Sequence, residues 1–213
     1  MIISVRNSRE IVSFTMKDEL DTRDPIFKNK QKPKVLDIKS VAQTRIFKIE
    51  EVTLHFSNGE QRIFERLRGW QPGVVLVVPM QDPETLLLIQ EYGAGINDYA
   101  LSFPKGRIEE GEDILVAGNR EMQEEIGFKS NKLTYLQGMS TAPNYNDTHM
   151  HVLLAEGLEA SKLEGDEPET MTIVPWSINN LDSLLARTDF HESKSVAALF
   201  LAKHYLEKRK NGS

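Results

Sequence analysis

Apolar and polar positions alternate in two early stretches, Val35–Val41 and Ile49–Phe56, the period-two pattern of strands with one covered face. Ser57-Asn58-Gly59-Glu60 then separates the second stretch from Gln61–Arg68, and an Asn-Gly pair between alternating runs predicts a hairpin. Three strands without a helix bury too little to stand alone, so this small sheet is expected to pack on the rest of the chain or on a second copy. Val74–Pro79 and Leu86–Ile89 are continuously apolar instead, as for strands covered on both faces, with Asp82-Pro83-Glu84 turning the chain between them. Tyr92–Asp98 reads as a glycine-rich loop. Further strands are expected at Leu133–Gly138, Thr148–Ala155 and Thr172–Trp176, and helices at Ile178–Ala186 and His191–Lys208. The last helix has Val196, Leu199, Phe200 and Leu206 among its apolar positions. Residues 1–33 carry mixed charge and little periodicity, and read as a poorly specified extension. The pattern divides the chain into that extension, a small antiparallel sheet over 34–69 and an α/β domain over 70–210.

One further helix organises the chain. It is expected to begin near Asp113, a good N-cap residue, and to stop at Gly127, a good residue just past a C-terminus. Leu115, Gly118, Met122 and Ile126 make the stripe that seats it on a core. Glu121, Glu124 and Glu125 stand at i, i+3 and i+4, so they share one face within a turn. Clustered carboxylates repel and gain proton affinity, and a hard divalent cation with several oxygen ligands removes that conflict. Arg120, four residues before Glu124, can pin a carboxylate with its fork of donors. Two or three glutamates alone would be an ordinary solvated face. The whole string is more specific: Gly106-x5-Glu112-x7-Arg120-Glu121-Met122-x-Glu124-Glu125-x-Gly127-Phe128. Seven fixed identities, each with a background of roughly 5–7%, coincide in about one window in 10^8, which sets the solvated face aside.

Composition narrows the chemistry. The 213 residues suffice for one substantial core or a core with a small companion. A formal net charge of −6 argues against a general DNA or RNA binder, because no excess of cations is available for phosphate backbones. An acidic protein acting on an anion needs a metal or a local arginine cluster. Arg62, Arg66 and Arg68 project from one face of the Gln61–Arg68 strand and read equally well as a solvated edge or as a phosphate-contacting face. Without cysteine, disulfides and thiolate sites are excluded, which suits the cytoplasm. No apolar run reaches membrane-spanning length, and no signal-peptide core is evident. His149 and His151, two apart on a strand, lack further ligands nearby and are read as structural.

The 106–128 string is that of the Nudix box, and between roughly Lys34 and Leu206 the chain resembles the bacterial ADP-compounds hydrolases of the Nudix superfamily (NudE-type). Val41-Ala42-Gln43-Thr44-Arg45-Ile46-Phe47, Met139–Tyr145, Glu164–Glu169 and Val196–Leu201 carry the likeness outside the box. The resemblance implies a Nudix α/β/α sandwich around a mixed sheet, and a small N-terminal antiparallel sheet that completes the partner's active site in a homodimer. It implies Mg2+ or Mn2+ held by Glu121, Glu124, Glu125 and the backbone carbonyl of Lys105, with Glu112 paired to Arg120. Pro143 falls where ADP-ribose hydrolases of the superfamily carry a proline. One departure is Ser102-Phe103-Pro104-Lys105-Gly106 where many ADP-ribose hydrolases read Glu-Leu-Pro-Ala-Gly, which weakens strict ADP-ribose specificity. The implied reaction is hydrolysis of the diphosphate in an ADP-linked compound (ADP-ribose, NADH or a diadenosine polyphosphate), releasing AMP. Hydrolysis of another nucleoside diphosphate or an NAD-type RNA cap, or a non-catalytic Nudix sensor, is the alternative. The family places its general base on a mobile loop after the central strands, here Glu164–Glu169. Within it Glu167 is the expected base, because Pro168 restricts its backbone to extended conformations; Glu164 and Glu169 stand behind it.

Overall fold

The computed structural model describes residues 31–165 and 168–212. Glu167 and almost all of the 1–33 extension lie outside the described residues. Strands β1 (Lys34–Gln43), β2 (Lys48–His55) and β3 (Gln61–Arg68) form an antiparallel sheet in that order. The hairpin turns at the Asn-Gly pair, but its connection spans Phe56 to Glu60. Gly59 N donates to Phe56 O at 3.0 Å, and Asn58 Oδ1 accepts from Glu60 N at 3.1 Å.

The larger sheet holds seven strands among the described residues: β4 (Val74–Asp82), β5 (Thr85–Gly93), β6 (Asp98–Ser102), β7 (Lys105–Arg107), β8 (Phe128–Ser140), β9 (His149–Ala160) and β10 (Thr172–Ser177). Their order is β10-β5-β4-β9-β8, with β6 against β5 and β7 against β4. The β4–β9 pair is parallel and the others are antiparallel, so the sheet is mixed.

Among the described residues three helices cover this sheet: α1 (Ile114–Glu125), α2 (Leu181–Leu185) and α3 (Ser193–Asn211). The continuous apolar run of β4 follows from burial on both sides. Leu76 and Val78 join Leu86, Leu88, Leu184, Ala198, Leu199 and Leu206 in one cluster beneath α2 and α3. Val75 and Val77 join Leu87, Ile89, Ala117, Met122 and Ile126 in the other, beneath α1. The architecture is the α/β/α sandwich that the resemblance implied.

Several expectations are corrected. The loop expected at Tyr92–Asp98 is shorter, a turn over residues 94–97: β5 runs to Gly93, β6 starts at Asp98, and Tyr92 faces Tyr99 across the hairpin with ring centroids 5.4 Å apart. The helix expected over Ile178–Ala186 keeps only Leu181–Leu185. Phe200, expected among the apolar positions of the last helix, is 49% exposed.

The small sheet meets the rest of its own chain at the end of β3. Leu67 N donates to Tyr145 O at 2.7 Å, Arg68 pairs with Asp147, and Gly69 N donates to Asp147 Oδ1 at 2.6 Å. All ten positions of β1 remain exposed, Val35, Leu36, Ile38 and Val41 among them, as do Ile63 and Phe64 on β3. Among the described residues no helix is long and apolar enough to cross a membrane.

Candidate active site

The cleft is built around α1. Asp113 caps it, its Oδ1 accepting from Leu115 N at 2.8 Å and Val116 N at 3.3 Å. Just past its end Gly127 takes φ = +73°, a left-handed conformation that side chains other than glycine's resist. These ends fix the rotation of α1 on the sheet. Ala117, Gly118 and Met122 turn down into the core, and Glu121 and Glu125 are buried beside them at 7% exposure each.

Against that face lies β7, paired to the start of β4. Lys105 N donates to Glu125 Oε2 at 3.1 Å. A Cβ at Gly106 would stand 2.1 Å from the Glu121 carboxylate, so the absence of a side chain there is what lets the carboxylate meet the backbone. This is the physical reason that the string opens with glycine.

Arg120 ties the carboxylates together. Its Nε donates to Glu112 Oε1 at 2.9 Å and its Nη2 to Glu112 Oε2 at 3.0 Å. Its Nη1 donates to Glu121 Oε1 at 2.7 Å and Glu124 Oε2 at 3.0 Å, while Nη2 also reaches Arg107 O at 2.8 Å. Bonds from Arg120 hold the Glu112 carboxyl below the usual glutamate range, and the Glu112 carboxylate in turn holds Arg120 above the usual arginine value. Glu125 differs: burial, with Glu121 adding to it, pushes its carboxyl up to about 8 against the pull of Lys105. Sequence reasoning attributed such a rise to crowding among carboxylates; burial is the larger cause.

The resulting cleft encloses about 750 Å³ and is lined by Glu121, Glu124 and Glu125 on α1, by Lys105–Arg107 on β7, and by Glu91, Glu109, Arg120, Glu164, Gly165, Pro168 and Met171. Three residues of the acidic loop, Glu164, Gly165 and Pro168, therefore reach it. Glu169 does not line it; its Oε1 accepts from Tyr99 OH at 2.7 Å. Lys162 Nζ donates to the Glu124 carbonyl at the C-terminal end of α1. Arg62, Arg66 and Arg68 do not line the cleft of their own chain. Arg62 pairs with Glu60 at 2.5 Å, Arg66 donates to Glu50 at 2.9 and 3.1 Å, and Arg68 pairs with Asp147. Pro143, exposed in the loop before β9, also stands away from it.

Sequence reasoning used only the carbonyl of Lys105 and missed its side chain. The ammonium lies between Glu91 and the Ser102 hydroxyl, 3.0 Å from the latter. Burial works against its charge, but Glu192 and Glu91 outweigh that and hold its pKa above the ordinary lysine value. No local signal marks Glu91, which arrives because β5 and β7 both pair with β4. Arg107 and Trp70 were also passed over; the Arg107 guanidinium sits 4.4 Å from the Trp70 ring centroid.

The donor set is oxygen only, and a buried carboxyl that keeps its proton to about 8 lies where added positive charge is favoured. It therefore fits a hard divalent cation. Among the described residues the groups do not already converge into a ligand cage, because the Arg120 guanidinium bridges Glu121 and Glu124. Among the described residues His149 and His151 join no metal cluster; His151 Nδ1 lies 3.3 Å from Tyr135 OH.

Known proteins carry the same combination of parts. The family model for the NudE-type Nudix hydrolase N-terminal domain matches residues 33–66, and that for the NUDIX domain matches residues 70–199. The chain is 43% identical over 180 residues to ADP compounds hydrolase NudE of Escherichia coli (strain K12), covering 84% of this chain and 96% of that one. It is 26% identical over 173 residues to ADP-ribose pyrophosphatase of Bacillus subtilis (strain 168), covering 78% and 92%. A solved structure titled as the crystal structure of ADP compounds hydrolase superposes with a TM-score of 0.81 at 42% identity, covering 85% of this chain and 98% of that one. With its box intact, its sandwich complete and both family domains matched along its length, the chain belongs to the Nudix hydrolase family.

Proposed function

We propose that this protein hydrolyses the diphosphate bond of ADP-linked compounds, with ADP-ribose, NADH and diadenosine polyphosphates as the candidate substrates, and releases AMP. The observation that carries the reading is the pair of buried glutamates at the floor of a 750 Å³ cleft, Glu121 packed against side-chain-free Gly106 and Glu125 bonded by the backbone N–H of Lys105. The names of the E. coli and B. subtilis relatives support the substrate class.

Nudix hydrolases generally need divalent metal ions, and Mg2+ or Mn2+ is the proposed cation here. Glu121, Glu124, Glu125 and the Lys105 carbonyl would hold it. When bound, such an ion neutralises diphosphate oxygens and makes water more acidic. The chain's own residues set the rest. Glu112 and the backbone of Arg107 orient Arg120, and Arg120 holds the α1 carboxylates in register. Lys105 N fixes one oxygen of Glu125. Glu167 is the proposed general base, and its neighbours Gly165 and Pro168 line the cleft. Glu167→Gln should lower turnover by about 10^2–10^4-fold with cation affinity nearly unchanged.

A homodimer assembled through the small sheet is proposed as well. Isolated apolar residues are common on surfaces, but β1 and β3 together expose Val35, Leu36, Ile38, Val41, Ile63 and Phe64. In such a dimer Arg62, Arg66, Arg68 and Pro143 would serve the partner's cleft. Light scattering that finds a stable, active monomer would remove this part.

The deciding test of the activity is a cation-dependent hydrolysis assay on ADP-ribose, NADH and diadenosine compounds with product identification. AMP should appear, and chelator should abolish it. Release of AMP from none of these substrates would overturn the reading.

A further inference from the structure

We infer that Arg107, seated over the Trp70 ring at the edge of the cleft, binds the substrate's diphosphate and sets how tightly substrate is held. The inference rests on the reading of the site as a diphosphate hydrolase and adds a substrate-binding residue to it.

The electrostatics of the cleft demand such a group. Six glutamates line it, against Lys105, Arg107 and Arg120 as cations. Two of these cations already serve carboxylates. The Lys105 ammonium bonds Glu91, and the Arg120 guanidinium bonds Glu112, Glu121 and Glu124. Withdrawing either would leave a partly buried carboxylate uncompensated. Arg107 is different: among the described residues it forms no salt bridge, and its charge rests on the Trp70 ring 4.4 Å away. An aromatic face steadies a guanidinium without using its N–H donors, so the donors stay available to an incoming anion.

The group is also held in place. The Trp70 indole N–H donates to Ile108 O at 3.0 Å, and Ile108 N donates to Gly73 O at 3.1 Å. The Arg107 backbone is paired with Val74 in the sheet, and its carbonyl accepts from Arg120. Ring and guanidinium are thus anchored to adjacent residues, Ile108 and Arg107, at the end of the strand along the cleft floor. A planar fork placed there suits two phosphoryl groups better than a single point charge would.

Arg107→Gln, Arg107→Lys and Trp70→Leu test this, compared with wild type by KM and kcat on ADP-ribose at saturating Mg2+ and by calorimetric binding of ADP. Arg107→Gln should raise KM and weaken ADP binding by about ten- to a hundredfold, the scale of one lost charged hydrogen-bonding group. Its kcat should stay within a few-fold, and its melting temperature near that of wild type. Arg107→Lys should recover part of the loss, and Trp70→Leu should give a smaller rise because the charge survives unanchored. An unchanged KM in Arg107→Gln, or a fall confined to kcat, overturns the inference. If wild type releases AMP from none of ADP-ribose, NADH and the diadenosine compounds, the hydrolase reading fails by itself. ADP binding then still decides: weaker binding in Arg107→Gln sustains the inference, and equal binding, or none in wild type, removes it.

Discussion

Helices α1 and α3 lie on opposite faces of one sheet and bury similar numbers of residues for different ends. On α3 the buried positions are Ser195, Ala198, Leu199, Ala202 and Leu206, a helical stripe with one polar member. That serine is fully bonded, donating to Glu192 Oε2 at 2.6 Å and accepting from Phe103 N at 3.2 Å. On α1 the buried positions are Ala117, Gly118, Glu121, Met122 and Glu125. Two carboxyls there occupy places that apolar side chains fill on α3. Burial of ionisable groups costs stability unless opposite charge meets them, so α3 stabilises the sheet while α1 holds a charge conflict against it. The difference shows where the fold gives up stability for chemistry.

Substitutions should separate the two helices. The largest effect is expected at α1: Glu121→Gln or Glu125→Gln should lower turnover by about 10^3-fold or more, as loss of several kcal/mol of transition-state charge stabilisation would. Circular dichroism should show little loss of fold, and chelation of wild type should mimic the variants. Near-normal turnover of either variant at low cation concentration would erase the contrast. On α3 the pattern should invert. Leu199→Ala should cost about 2–5 kcal/mol in denaturant unfolding while leaving kcat and KM of the folded protein within about twofold.

The pH dependence sharpens the same contrast. The Glu125 carboxyl is raised from 4.5 to about 8 on folding. Between those values the folded protein holds a proton that the unfolded chain has released, so the cation-free protein loses stability as pH rises from about 4.5 to about 8. The loss should reach at most about 5 kcal/mol, and Glu125→Gln should flatten the curve. Melting curves at pH 5 and 8 in chelator measure it; identical slopes in wild type and Glu125→Gln would assign the titration elsewhere.

The sequence marked α1 so clearly because everything that defines it is local: a cap at Asp113, a left-handed exit at Gly127, and three glutamates within one turn. The two-sided burial of β4 was legible for the same reason, as an unbroken apolar run. What escaped depends on contacts between distant segments. The full lengths of β8 and β9 come from their pairing with each other, Phe128 against Ala160 at one end and Ser140 against His149 at the other. Tyr92–Gly93 became strand because Asp98–Tyr99 lie opposite. Lys105 met Glu91 only once β7 and β5 had both joined β4. Phe200 carried the right periodicity, yet α3 presents it to solvent.

The three residues of β7 also have a consequence in time. Lys105–Arg107 are hydrogen-bonded to Val74–Leu76, where β4 is paired to β9 on its other side. Their amides are therefore expected to exchange with solvent deuterium almost as slowly as the centre of the sheet, since exposing them means parting β4. Glu169, by contrast, is held among the described residues by a single side-chain bond from Tyr99, which can open by itself. The cleft floor is thus expected to open only on the timescale of global unfolding, so the residues that form it keep their places through many rounds of substrate exchange.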